Sequence, residues 1–194
     1  MLLYKYVKKF WNETQAEEYK SLRFYRLIQW RHEPSTIRLE RPTRLDRARA
    51  LGYKAKQGFV VVRARISRGS RRKSRPTRGR RSKRMGVTRI TPGRSRQWIA
   101  EERVARKYPN MEVLNSYWVG QDGRHLWYEI ILIDPNHSVV QSDPQYQWLK
   151  SPANRRRTFR GLTSIGKRGR GLRHKGKGAE QLRPSLRAHR RHGK

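Results

Sequence analysis

The sequence predicts an α+β fold: a small antiparallel β-sheet of three to four strands flanked by helices, with a long basic internal loop and an extended basic C-terminal tail. Three observations carry this reading. Met111–Val119 and His125–Ile133 each alternate or run apolar, and Gly120-Gln121-Asp122-Gly123 between them has the Asp-Gly chemistry of a β-hairpin turn. Upstream segments carry apolar residues at three- and four-residue steps, the period of amphipathic helices. Finally, Arg68–Arg84, RGSRRKSRPTRGRRSKR, holds ten Lys or Arg among seventeen residues, with no acidic residue and nothing to bury. Such a segment has no reason to fold by itself.

Taken in order, Leu2, Leu3, Tyr6, Val7, Phe10 and Trp11 form the first helical pattern. Thr14 with Glu17 reads as a capping box that opens a second helix towards Trp30, ended by Pro34. This helix carries Tyr19, Leu22, Phe24, Tyr25, Leu27, Ile28 and Trp30, interleaved with Arg23, Arg26 and Arg31. Its apolar face is either a core stripe edged with solvated charge or a face shared between core and RNA. Ile37–Glu40 alternates briefly, as a short edge strand does. In residues 41–58, Thr43 is placed as an N-cap, Asp46 in the first turn and Gly52 as the stop of a short helix. Two turns crowded with cations would hardly be stable alone, which asks for an anionic partner.

Phe59–Ile66, FVVVRARI, is β-branched and reads as a strand, with Val60, Val62, Ala64 and Ile66 on one face and Arg63 and Arg65 on the other. After the basic loop, Gly86–Gly93 is a bridge, and Ser95 caps a helix through Trp98, Glu101, Glu102, Val104, Ala105 and Tyr108, stopped by Pro109. Trp118, Trp127 and Tyr128 are expected to pack the sheet. From Lys150 onward sixteen residues are Lys or Arg against a single Glu180, and Gly161, Gly166, Gly169, Gly171, Gly176, Gly178 and Gly193 interrupt any helical pattern. The expected organisation is one domain over residues 1–149, including the internal basic loop 68–94, and an extended coreless tail over 150–194.

Charge bounds the function. The 194 residues carry a formal net charge of +35, and self-repulsion of that size opposes compaction unless a polyanion accompanies the chain. Nucleic acid is the first candidate, and the predominance of arginine suits bidentate contact with phosphate. No apolar span long enough for a membrane is present. The absence of cysteine excludes disulfides, thiolate catalysis and thiolate metal sites. The start, MLLYKYVKKFW, is too short and too often interrupted by Lys for a signal peptide.

Motifs that would imply other chemistry fall short. Gly171-Leu172-Arg173-His174-Lys175-Gly176-Lys177 begins like a P-loop, but Gly178 stands where the magnesium-ligating hydroxyl belongs and no apolar strand precedes it. His189 and His192 have metal-ligand spacing without Cys or carboxylate support. Asp134-Pro135-Asn136-His137 is better explained as turn chemistry than as half of a nuclease centre, which would need clustered carboxylates. No zinc-finger spacing, leucine-zipper heptad or compact helix-turn-helix pattern is found. Neither catalysis nor a cofactor or metal is expected.

Five blocks then carry a resemblance: ERPTRLDRARALGYKAKQG, GRRSKRMGVTRIT, VLNSYWVGQDGR, EIILIDPNH and FRGLTSIGKRGRGLRHKGKG. They resemble, in matching order over a stretch from about Glu40 to Leu186, the archaeal and eukaryotic-type family of large-subunit ribosomal protein fifteen, distinct from the bacterial protein of that number. The resemblance implies a non-catalytic structural protein of the large subunit, in the cytoplasm, partnered by large-subunit ribosomal RNA and neighbouring ribosomal proteins, with no membrane, no DNA and no homo-oligomer. It implies an RNA-contact role for Arg41–Lys56, Arg68–Arg84 and Arg155–Lys177. In and beside these blocks the candidate contacts are Arg41, Arg44, Arg47, Arg49, Tyr53, Lys54, Lys56, Arg68, Arg71, Arg72, Lys73, Arg75, Arg78, Arg80, Arg81, Lys83, Arg84 and Arg89. Further along they are Arg155, Arg156, Arg157, Arg160, Lys167, Arg168, Arg170, Arg173, Lys175, Lys177, Arg183 and Arg187. A free RNA chaperone or RNA-processing factor is the alternative.

Overall fold

A nine-residue strand with eight buried positions, β4 (His125–Ile133), is the centre of the molecule. In the computed structural model, which describes residues 2–12, 17–70, 73–87 and 92–174, it lies between β2 (Phe59–Ser67) and β3 (Glu112–Gln121). The short β1 (Thr36–Leu39) pairs with the outer side of β2, so the sheet runs β1-β2-β4-β3 and every pairing is antiparallel. The continuous apolar run Ile130–Ile133 follows from this position. Both faces of the sheet are covered, so neither set of alternating side chains meets water.

One face packs against α4 (Arg96–Lys107). Val62, Ala64 and Ile66 of β2 join Leu126, Tyr128, Ile130 and Leu132 of β4 beneath Ala100 and Val104 of the helix. Ser95 caps α4 as expected, its Oγ accepting from the Trp98 N–H at 3.3 Å. The opposite face is covered by α2 (Glu17–His32), α3 (Leu45–Ala50) and the 3-10 turn Pro144–Lys150, whose Trp30, Ala48, Tyr146 and Leu149 meet Trp127, Ile131 and Ile133. Arg63 does point to this face, but into the interior: its guanidinium lies 4.5 Å from the Trp30 ring centroid and pairs with Glu33. Trp127 and Tyr128 pack the sheet and Trp118 is half-buried against it.

The hairpin turn is held by Asp122, whose Oδ1 accepts from the Arg124 and His125 N–H groups at 2.7 and 2.5 Å while Oδ2 accepts from Arg31 at 2.9 Å. Partial burial works against the charge, but these donors prevail and hold the carboxyl at about 2. Thr43 is not the cap of α3. Arg44 occupies that position without a side-chain cap bond, and the Thr43 N–H donates to Glu129 instead, at 3.1 Å. Gly52 does stop the helix, at φ +97°. The Thr14 half of the expected capping box lies outside the described residues.

The expected extended tail is corrected over its first half. Residues 150–174 fold back on α4 and β3 through a short turn, Pro152–Asn154, and a helix, α6 (Ser164–Gly169). The Trp98 indole N–H donates to Thr158 O at 2.9 Å, the Thr163 hydroxyl donates to Glu101 at 2.7 Å, and the Arg156 N–H donates to Glu112 at 2.7 Å. Thr158, Thr163 and Ile165 are buried. Gly161, at φ +66°, is what permits this: a Cβ there would stand 3.0 Å from the Trp98 ring. Glycines spaced to interrupt a helix instead let the backbone lie against an indole.

Glu101 is the buried polar centre of that junction. Its carboxylate accepts from Ser116 Oγ at 2.5 Å and from Thr163 Oγ1. Burial pushes its pKa up to about 7, against the lowering effect of those two hydroxyls and of the Arg157 charge.

Candidate nucleic-acid interface

The internal basic loop is anchored at both ends. At its start, the Arg68 N–H donates to Arg124 O at 2.8 Å, the Arg68 guanidinium to Asp122 O at 2.6 Å, and Arg96 to Gly69 O at 2.8 Å. At its far end Arg94 pairs with Glu102 at 2.6 Å and lies 5.4 Å from the Trp98 ring centroid. Between these feet Lys73, Arg75, Arg78, Arg80, Arg81, Lys83 and Arg84 are all exposed. Ser82–Arg84 form one 3-10 turn, which brings Arg80, Arg81 and Arg84 around a single hollow beside Gly79. Anchoring restricts the space the loop can search and so lowers the entropy lost on docking. Arg71, Arg72 and Arg89 lie outside the described residues.

In the 41–56 block, Arg41, Arg47, Arg49 and Lys56 stand exposed around α3. Their neighbours are engaged within the protein. Arg44 lies 4.8 Å from the Trp11 ring centroid and 3.5 Å from Asp46, and Lys54 pairs with Asp143 at 2.6 Å above the Tyr146 ring. The Lys54 hydrogen bond holds the Asp143 carboxyl below its usual range. Tyr53 packs edge-on against Phe59, centroid to centroid 6.2 Å.

After Lys150, Arg155, Arg156, Arg160, Lys167, Arg168, Arg170 and Arg173 are exposed. Arg157 is half-buried, donating to Val113 O at 3.1 Å and stacking 4.6 Å from the Trp148 ring centroid. Burial lowers its pKa, so its charge is held at some cost, partly offset by Glu101. It braces the β3 edge and is placed to hold the fold together. Lys175, Lys177, Arg183 and Arg187 lie outside the described residues, as do His189 and His192.

Two features were not legible beforehand. Folding back of α6 brings Arg168 to the same cleft as Arg47 of α3, so two blocks far apart in sequence share one surface. Lys5 and Lys8 of α1 (Leu2–Asn12) join them. The signal for α6 was present in Thr163-Ser164, an N-cap sequence, and Thr163 does accept from the Gly166 N–H at 3.2 Å. The Asp134–His137 stretch is turn chemistry as expected: Asp134 accepts from the Asn136 N–H and His137 Nδ1 from the Val139 N–H, which spends the imidazole on capping α5 (Ser138–Gln141).

An exposed cationic surface of this kind, on a small sheet domain with no membrane-length apolar helix among the described residues, calls for a polyanion. Residues 2–189 match the family described as ribosomal L15. The chain belongs to that family. Similar relatives include proteins called large ribosomal subunit protein eL15 in two archaea. That of Methanospirillum hungatei is 58% identical over 186 residues, covering 96% of this chain and 95% of the relative. That of Methanocella arvoryzae is 56% identical over 191 residues, covering 98% and 97%. The resemblance read from the five sequence blocks is thereby shown, and with it a ribosomal, non-enzymatic protein.

Proposed function

We propose that this chain is a structural constituent of the large ribosomal subunit. Its exposed cations neutralise phosphates of large-subunit ribosomal RNA, fixing folded RNA helices relative to one another during assembly and in the mature particle. Its other partners are neighbouring proteins of the same particle, and its place is the cytoplasmic large subunit. The observation that carries this is the state of the loop and C-terminal cations. Among the described residues, Arg75, Arg78, Arg80, Arg81, Lys83, Arg84, Arg155, Arg156, Lys167, Arg168 and Arg173 are exposed, and none has a carboxylate within salt-bridge distance. Several acids are committed to the domain: Glu101, Glu102 and Glu129 are buried and Asp122 and Asp143 hold turns. Cations left without internal partners on a chain of this charge are poised for phosphate.

The test is retention on purified large subunits through a high-salt wash, followed by direct binding to protein-free large-subunit ribosomal RNA. Stable co-sedimentation is expected. Loss of the protein at moderate salt, with comparable affinity for unrelated RNAs, would instead describe a chaperone that binds many RNAs and leaves.

A further inference from the structure

Between α1, α3, the β3 edge and α6 lies an open cleft of about 810 Å³, inside the roughly 300–1,000 Å³ range of clefts that take small organic ligands. Its charge is one-sided: Lys5, Lys8, Arg44, Arg47 and Arg168 line it, against Asp46 alone. Tyr4 and Trp118 supply aromatic surface, and the Trp118 ring is held by packing against the α4 side of the core. Gln97, Asn115 and Ser116 supply amide and hydroxyl groups. A register shift in β3 between Trp118 and Gly120 bends this edge, and such bulges re-aim side chains beside functional sites.

We propose that the cleft receives one unstacked nucleotide of the ribosomal RNA, its base against Trp118 or Tyr4 and its flanking phosphates on Lys5, Lys8, Arg47 and Arg168. This rests on the RNA-binding reading above and adds to it a base-stacking site. Aromatic faces accept any base by stacking, while cations on both sides track the backbone. The other occupant that an open sheet edge invites is a strand from a neighbouring protein. That occupant fits less well, because Gln97 already donates to Ser116 O at 3.0 Å and Arg157 to Val113 O, so acceptors of β3 are taken.

The experiment uses the full chain bound to protein-free large-subunit ribosomal RNA, irradiated with short-wavelength ultraviolet light and mapped by peptide mass spectrometry. A nucleotide adduct on Trp118 or Tyr4 is expected. Trp118→Leu, which keeps apolar packing, should lose the Trp118 adduct and weaken binding about tenfold with an unchanged salt slope, since stacking releases no counterions. If that variant fails to fold, the adduct map of the unaltered protein decides alone. Adducts confined to residues 68–84, or wild-type affinity in a folded Trp118→Leu, would overturn the cleft and leave RNA binding intact. Crosslinking of Trp118 to another protein in intact subunits would overturn it in favour of a protein strand. No adduct anywhere, together with no binding, would overturn both readings.

Discussion

Replacing Glu101 with Gln should stabilise the folded chain above neutral pH and leave it nearly unchanged near pH 4. The carboxyl is buried between α4, β3 and the returning tail, with Ser116 and Thr163 as its donors. Its pKa moves from 4.5 to about 7 on folding, driven by burial. A raised carboxylate means that the folded state binds the extra proton. Stability is therefore unaffected below about pH 4, falls as pH rises through the interval, and carries the whole penalty above about pH 8. Moving a carboxyl that far corresponds to about 3 kcal/mol, an upper value because water can enter the junction as the group ionises. Gln has the same shape, keeps an acceptor for one hydroxyl and never ionises. Denaturant melts of the two proteins at a series of pH values cancel every other titrating group in the difference. The gap should be near zero at about pH 4 and approach about 2–3 kcal/mol in favour of the Glu101→Gln variant at about pH 8.5. A gap independent of pH across that range would show that Glu101 is not held protonated and would refute the reasoning.

Three further outcomes follow from the same structure. Gly120→Ala places a Cβ 2.8 Å from the Trp30 ring, which would push Trp30 away from Trp127 and cost about 1–3 kcal/mol by overpacking; equal denaturation midpoints would contradict it. Replacing Arg78, Arg80 and Arg81 together with Ala should flatten the log–log salt dependence of RNA binding, by roughly 0.7 to 0.9 for each phosphate no longer neutralised; an unchanged slope would take the loop off the phosphates. In the absence of RNA, amides of Ile130–Ile133 should exchange slowly and those of Lys73–Arg84 fast; strong protection across the loop would show that it is ordered by the protein alone.

Local chemistry made most of the sheet legible. The Asp-Gly turn, the β-branched run at Phe59 and the Ser95 cap each fix their element through neighbours in sequence, and each appears where expected within a residue or two. What could not be read were interactions that act across the chain. Thr43 had the chemistry of a cap, but Arg44 takes the cap position, and the Thr43 N–H meets Glu129, buried and far away in sequence. The glycines after Lys150 looked like interruptions because the indole they accommodate, Trp98, lies on another element. Arg157 and Lys54 looked like their exposed neighbours in composition, and only the fold shows that each already has aromatic and polar partners.

This separation of cations into two kinds changes what the charge excess means. Arg63, Arg157, Lys54 and Arg44 are held by rings, carbonyls and carboxylates of the domain, so replacing any of them should act first on stability. Arg78, Arg80, Arg81 and Arg168 touch no internal carboxylate among the described residues, so replacing them should act on RNA affinity and its salt dependence while leaving the melt nearly unmoved. Arg63 of β2 aside, sequence places both kinds in the same basic blocks. The fold divides them by burial, because a cation brought under the sheet must find its partners within the protein, whereas Arg78, Arg80 and Arg81 stay exposed on the anchored loop with no carboxylate of the described residues beside them.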